Sequence, residues 1–336
     1  MAARRVLRSV LAAAVVMAAA QTAGAKDLTN IVITEPINNL AYLPLLAAVT
    51  KGYFADEGIS AKVINMNNST AHVNAVLSGD AFAYIGGPEH NAYAEVKGAQ
   101  LRAIVNIVDR GNVYLTAHQG APPVMNPGGA DYASFLRGKK IGVVFYGGTP
   151  NSIVRYLLIK WGLEVKRDVT LVETSNPGVL AAAAAGQIDV GVITDPLLTQ
   201  GMRNGAWQAP FYNVPKELGP YAYSTLNVKL DTIRKSPELV AGVVKAIRKA
   251  LQFVYADPAG ATAVAQTWFP TMPADDMKAT MDRAYADEQW SKDGMVTQAS
   301  WDTAEAVVRA AGILTEDVPY DAAIDMSFVK RDMAQK

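Results

Sequence analysis

Residues 75–89 read AVLSGDAFAYIGGPE, and residues 182–196 read AAAAGQIDVGVITDP. Each stretch ends a helix at a glycine, runs through a short apolar strand and delivers a carboxylate beside a proline. A second matched unit lies upstream of each. Asn30-Ile31-Val32-Ile33 leads through a loop and a helix to Gly58-Ile59 and the strand Ala61-Lys62-Val63-Ile64; Lys140-Ile141-Gly142-Val143-Val144 leads to Gly162-Leu163 and Val169-Thr170-Leu171-Val172. Gly186 follows Gly79 by 107 residues (186 − 79), and Gly162 follows Gly58 by 104 (162 − 58), so whole lobes correspond. Two similar α/β lobes in one chain imply a cleft between them, and clefts between domains are where small ligands bind.

The first 25 residues read as targeting. Arg4, Arg5 and Arg8 precede an apolar run from Val10 to Ala20, too short to span a bilayer, and Thr22-Ala23-Gly24-Ala25 supplies the small residues of a cleavage site before Lys26. The chain has 336 residues and no cysteine, which excludes disulfides, thiol nucleophiles, cysteine metal sites and a lipidated cysteine. Export without a lipid anchor fits a periplasm. Basic and acidic residues balance at 31 each, with no basic block, so nothing supports a nucleic-acid role. A mature chain of about 310 residues exceeds what one core usually covers.

Strand and helix then alternate. Ile31-Val32-Ile33 is a buried strand, Tyr42–Lys51 a helix stopped by Gly52, and His72–Leu77 part of a helix stopped by Gly79. Leu101–Val108 and Val113–Ala117 read as strands, so the lobe is α/β with a largely parallel sheet. Residues 119–136, with GAPPVMNPGG, read as a loop at a lobe boundary. Tyr221–Val228 is a further strand. Ser236-Pro237-Glu238 then opens a helix with a capping hydroxyl, a first-turn proline and an acid at the positive helix end. That helix is expected to run to Ala256, with others at 259–268, 273–286 and 298–311. They have no counterpart in the second lobe and are expected to pack on the first. The boundaries that follow are 26–118 and 223–336 for lobe 1 and 119–222 for lobe 2, with crossings near Tyr114–His118 and Tyr223–Val228. Two crossings make a bending hinge.

These segments resemble the periplasmic solute-binding proteins of nitrate, sulfonate, taurine and thiamine-pyrimidine ABC importers. The resemblance is carried by Ala47-Ala48-Val49-Thr50-Lys51-Gly52-Tyr53-Phe54-Ala55-Asp56-Glu57-Gly58-Ile59, by Leu136-Arg137-Gly138-Lys139-Lys140-Ile141-Gly142-Val143, by Gly186-Gln187-Ile188-Asp189-Val190 with Asp195-Pro196, and by Ser236-Pro237-Glu238. It implies the two-lobed type II binding-protein fold with two crossover hinge segments. It also implies a small-molecule ligand, a permease and ATPase complex as partners, a monomer, and no cofactor.

In open α/β sheets ligands bind beyond the carboxyl ends of the strands. That rule selects Asn38, Asn39 and Tyr42 after the first strand, and Gly87, Glu89 and His90 after the strand of the first repeat. In the second lobe it selects Gly148, Thr149 and Asn151 at a helix start, Ser175 and Asn176 at another, and Asp195; Tyr223 is added from the return crossing. The asparagines could equally cap a helix, and Asp195 could pair with a lysine or arginine. Glu89 and Asp195 are expected to face each other, one per lobe, which suits a ligand with amino or ring N–H groups. The glycine-rich helix starts suit an anion instead. The two signals conflict.

Capture of a small solute by lobe closure is the expected function. An enzyme resembling the thiamine-pyrimidine synthase branch is the rival, but that branch uses a histidine and a cysteine-rich motif, and His72, His90 and His118 are scattered here without cysteine. No Ser/His/Asp triad, HExxH helix or GxxxxGK[ST] loop is present. A binding protein coupled to a sensor without transport is the third class.

Overall fold

The computed structural model describes residues 28–67, 70–118 and 129–335. The expected signal segment and residues 119–128 of the expected boundary loop lie outside these. The described strands are β1 Thr29–Glu35, β2 Ile59–Asn65, β3 Ala83–Gly86, β4 Leu101–Arg110, β5 Tyr114–Ala117, β6 Lys140–Val144, β7 Thr170–Thr174, β8 Val190–Ile193, β9 Tyr212–Asn213 and β10 Pro220–Lys229. They form two five-stranded sheets, ordered β2-β1-β3-β10-β4 and β7-β6-β8-β5-β9. The repeat is therefore real in three dimensions: β2-β1-β3 and β7-β6-β8 are the same parallel triplet. Beside each triplet lies an antiparallel strand from beyond a crossing, β10 on β3 and β5 on β8.

Local chemistry explains the repeat. Gly79 and Gly186 follow helices with φ of +94° and +65°, a left-handed turn that glycine adopts without steric cost. β3 and β8 are buried at every position, as strands covered on both faces must be. Their sequences are correspondingly apolar throughout, without alternation.

Three sequence expectations need correction. Tyr114–Ala117 belongs to the second sheet, so the chain leaves the first sheet before it, through Gly111–Val113, and returns before Pro220 rather than at Tyr223. Gly129–Leu136 is a helix and not loop, because the loop formers end at Gly129 and helix-compatible residues follow. Ser236 sits at the N-cap of Pro237–Ala256 without a side-chain hydrogen bond to the helix. The proline at the first turn carries that helix start.

The C-terminal helices Pro237–Ala256, Pro258–Trp268, Ala274–Ala286 and Gln298–Ala310 fall within a residue of the expected ranges. Pro237–Ala256 packs on Leu43–Thr50 and β4, and Gln298–Ala310 packs on β10. They do not stay on the first lobe alone. Ala274–Ala286 reaches the helix Leu197–Arg203, and Gln298–Ala310 reaches Thr149–Lys160, so the C-terminal region spans both lobes. Among the described residues no helix is long and apolar enough to cross a membrane.

Candidate functional site

A cavity of about 390 Å³ opens between the lobes, the size of a small-molecule site. Its walls are the loops beyond the carboxyl ends of β1, β2, β3, β6, β7 and β8, together with β10. Lobe 1 contributes the expected Asn39, Tyr42, Gly87, His90 and Tyr223; lobe 2 contributes Gly148, Thr149, Ser175 and Asn176. Asn39 and Ser175 are caps as well as lining. Asn39 Oδ1 accepts from Ala41 N at 2.8 Å, and Ser175 Oγ accepts from Gly178 N at 3.2 Å.

The Gly86-Gly87 turn is held by a buried polar chain. Tyr84 Oη donates to Asn91 Oδ1 (2.6 Å), Asn91 Nδ2 donates to Asn227 Oδ1 (2.8 Å), and Asn227 Nδ2 donates to Gly86 O (3.2 Å). Thr225 Oγ1 donates to the same carbonyl at 3.2 Å. Groups this buried are stable only when paired, so the network gives the turn one position.

Glu89 stands at the lobe interface. It is 1% exposed, and its Oε1 accepts from Thr149 Oγ1 at 2.5 Å across the cleft. A Cβ on Gly87 would lie 1.9 Å from Glu89 Oε2, so the carboxylate folds directly over a glycine that borders the cavity. Beside it, His90 Nδ1 lies 3.1 Å from Gly87 O. A carbonyl can only accept, so Nδ1 carries the proton, and in the neutral ring Nε2 is an acceptor.

Four expected residues do not line the cavity, among them Glu89, which is buried against Gly87. Asn38 is exposed. Asn151 is buried behind the β6 loop, where its Nδ2 donates to Val144 O (2.7 Å) and Glu173 Oε1 (3.0 Å) and its Oδ1 accepts from Arg155 Nε. Asp195 turns away to helix Ala274–Ala286. Its Oδ2 accepts from Arg283 Nη1 at 2.5 Å, and its Oδ1 accepts from Thr199 Oγ1 (2.8 Å) and Thr199 N (3.1 Å). Burial raises the Asp195 carboxyl from its ordinary range, and the Arg283 charge pulls it back. Glu89 and Asp195 therefore do not face one another across a ligand. The repeat aligns strands and glycines, but the order of acid and proline is reversed between copies, and the two acids point differently.

The loop rule missed several lining residues that it had the means to find. Asn67 and His72 follow β2, Phe145 follows β6, Thr174 ends β7 and Thr194 precedes Asp195. Phe145 is 52% exposed, a large apolar ring at the cleft rim. Glu35, the last residue of β1, lies just behind the lining residues Pro36 and Ile37. It is 4% exposed, and burial pushes its carboxyl up to about 7. The Tyr42 phenol is raised by burial and then by the nearby charge of Glu35. Among the described residues no lysine or arginine lines the cavity, and no cluster of three or more His, Asp or Glu side chains could hold a metal ion.

Two lobes of matched topology, joined by two crossings, with a cavity at the carboxyl ends of their strands, define the two-lobed periplasmic-binding-protein fold. The chain belongs to the NMT1/THI5-like family, whose model matches residues 39–261. It is similar to the candidate binding protein YtlA of Bacillus subtilis (strain 168), at 22% identity over 93% of this chain and 92% of that one. It is also similar to the 4-amino-5-hydroxymethyl-2-methylpyrimidine phosphate synthase of Candida albicans (strain WO-1), at 25% identity over 73% of each. The alkanesulfonate-binding protein SsuA of Xanthomonas axonopodis pv. citri, solved bound to MOPS, has the same fold. Its TM-score is 0.72 at 17% identity, covering 90% of this chain and 99% of that one.

Proposed function

We propose that the protein is the periplasmic substrate-binding component of an ABC importer, which closes its two lobes on a small organic solute and delivers it to the permease. One observation carries this reading: the cavity is built from both lobes at once, from the strand ends of each sheet. A ligand there touches both walls only when the lobes are together, so binding energy favours the closed state. The rings of Tyr42, Phe145 and Tyr223 border this space and suit a flat or aromatic solute. The relatives are described as binding proteins and pyrimidine phosphate synthases, which supports a small-molecule site in either case.

The test is a thermal-shift and calorimetry screen of the purified mature chain against nitrate, taurine, alkyl and aryl sulfonates, aminopyrimidines and other heteroaromatics. A true ligand at 100 times its Kd adds about 2.7 kcal/mol to stability. Vesicles carrying the cognate permease and ATPase would then take up that ligand only with the protein present. If no compound moves the transition, the capture reading fails; product beyond one equivalent would make it an enzyme instead.

A further inference from the structure

We infer that the solute is an amphiphile: a hydrogen-bonding head fills the buried part of the cavity, and an apolar arm leaves through the mouth over Phe145 and Tyr146. This rests on the capture reading above and names the substrate class of that same site.

The walls of the cavity turn from polar to apolar as they approach solvent. Among its lining residues, Asn39, His90, Asn176, Thr194 and Ser224 are buried, and each carries a polar side chain. Two of them have hydrogen-bonding capacity unspent: His90 Nε2 and Asn176 Oδ1 have no partner among the described residues. Buried polar atoms without partners are costly, so this part of the cavity favours a head that can hydrogen-bond. The lining residues that reach solvent are different. Pro36 and Ile37 of lobe 1 and Val144, Phe145, Pro150 and Pro177 of lobe 2 are apolar and partly or fully exposed. Of the polar side chains beside them, Thr149 is bonded to Glu89 and Ser175 to the Gly178 N–H, which leaves only Asn67 and Thr174 among six apolar ones.

Phe145 and Tyr146 make the mouth a surface in its own right. Each is 52% exposed, and no other aromatic side chain among the described residues is as exposed. A network beneath them fixes their loop. The Arg155 guanidinium carbon lies 5.0 Å from the centroid of the Tyr146 ring, and Arg155 Nε and Nη2 donate to Asn151 Oδ1 (2.7 Å) and Glu173 Oε1 (2.9 Å). Asn151 Nδ2 donates in turn to Val144 O at 2.7 Å, so the residue before Phe145 is held as well. Gly147, at φ +88°, makes the turn that follows. Side chains already held in place lose little further freedom on meeting a ligand. Exposed apolar residues standing singly are ordinary, but two aromatic rings side by side at a cavity mouth form a patch that a partner covers. The solute's own arm is that partner, because Phe145 is also cavity wall, continuous with the buried head site, and Pro36 and Ile37 line the same space from the other lobe.

The probes are three matched series with one head each, sulfonate, primary ammonium or 4-aminopyrimidine, carrying ethyl, butyl, hexyl or phenylethyl arms. Binding to the mature full chain is measured by calorimetry. Within each head that binds, affinity is expected to rise about two- to fourfold per methylene from ethyl to hexyl, with a heat-capacity change that grows more negative. Phe145→Ala and Tyr146→Ala together should flatten that rise and leave the affinity of the ethyl members nearly unchanged. Ile159→Ala, which removes an exposed apolar side chain outside the cavity, should keep the rise intact. The ligand-free melting temperature of each variant separates loss of binding from loss of fold. An affinity independent of arm length, or a rise that survives the double substitution, overturns the inference and leaves solute capture standing. Binding of none of the probes overturns it as well, and the broader screen then decides the capture reading separately.

Discussion

Thr149 Oγ1 donates to Glu89 Oε1 at 2.5 Å, joining the first residue of a lobe 2 helix to the first residue of a lobe 1 helix across the ligand cavity. The two residues are 60 positions apart in the chain, and the bond exists only while the lobes are together.

Thr149→Val removes this tie and strands the carboxylate. The loss is expected to be roughly 1–3 kcal/mol, most of it expressed as weaker lobe closure. Small-angle scattering of the ligand-free protein should show a larger radius of gyration, and ligand affinity should fall. An unchanged radius and affinity would show that the bond does not contribute to closure.

Gly87→Ala is expected to be damaging despite adding one methyl group. The new Cβ would fall 1.9 Å from Glu89 Oε2, so the carboxylate must swing away and leave Thr149. Overpacking of this kind costs about 1–3 kcal/mol, and urea titration of the variant measures it. The variant should also bind ligand poorly, because Gly87 borders the cavity and the displaced carboxylate gives up its bond to Thr149 of the other lobe.

Arg283→Met leaves the Asp195 carboxylate buried without its cation, for an expected loss of about 3 kcal/mol in urea unfolding. Adding Asp195→Asn should recover part of that loss, because the pair then has no charge to strand. Losses that simply add in the double variant would disprove the pairing.

Glu35 makes stability depend on pH. Burial raises its folded-state value from 4.5 to about 7, so between those values the folded protein holds a proton that the unfolded chain has released. Its contribution is fully present below about pH 4.5 and is lost as pH rises through about 7, an order of magnitude of about 3 kcal/mol. Other buried acids, such as Asp109, which burial lifts to about 6, titrate in the same direction. The check is therefore a difference: Glu35→Gln should gain stability relative to the parent between pH 5 and pH 8. A constant gap across that range would contradict it.

The parts of this molecule written in local chemistry could be read from the chain. Gly52, Gly58, Gly79, Gly162 and Gly186 all adopt positive φ, between +65° and +94°, where other residues are strained, so they mark helix ends and turns by themselves. The loops beyond the parallel strands gave eight of the cavity's lining residues for the same reason: position in an α/β lobe is encoded nearby. Partnerships across the fold are not encoded nearby. Asp195 and Arg283 are 88 residues apart, and Tyr114 and Asp287, whose hydroxyl and carboxylate meet at 2.7 Å, are 173 apart. No spacing rule connects such residues. The choice between a ligand-facing and a structural Asp195 was therefore open until its surroundings were known. The strand Tyr114–Ala117 was misplaced for a similar reason, since its partner β8 lies about eighty residues downstream.

The placement of β10 sets an order of assembly. β4 is buried along most of its length, and in its sheet it touches only β10, which also separates it from β3. Until residues 220–229 have been synthesised, this long buried strand of the first sheet has no neighbour in the sheet to pair with. A chain emerging from the ribosome therefore cannot finish its amino-terminal sheet before two thirds of its length exists. Closing a loop that long is slow.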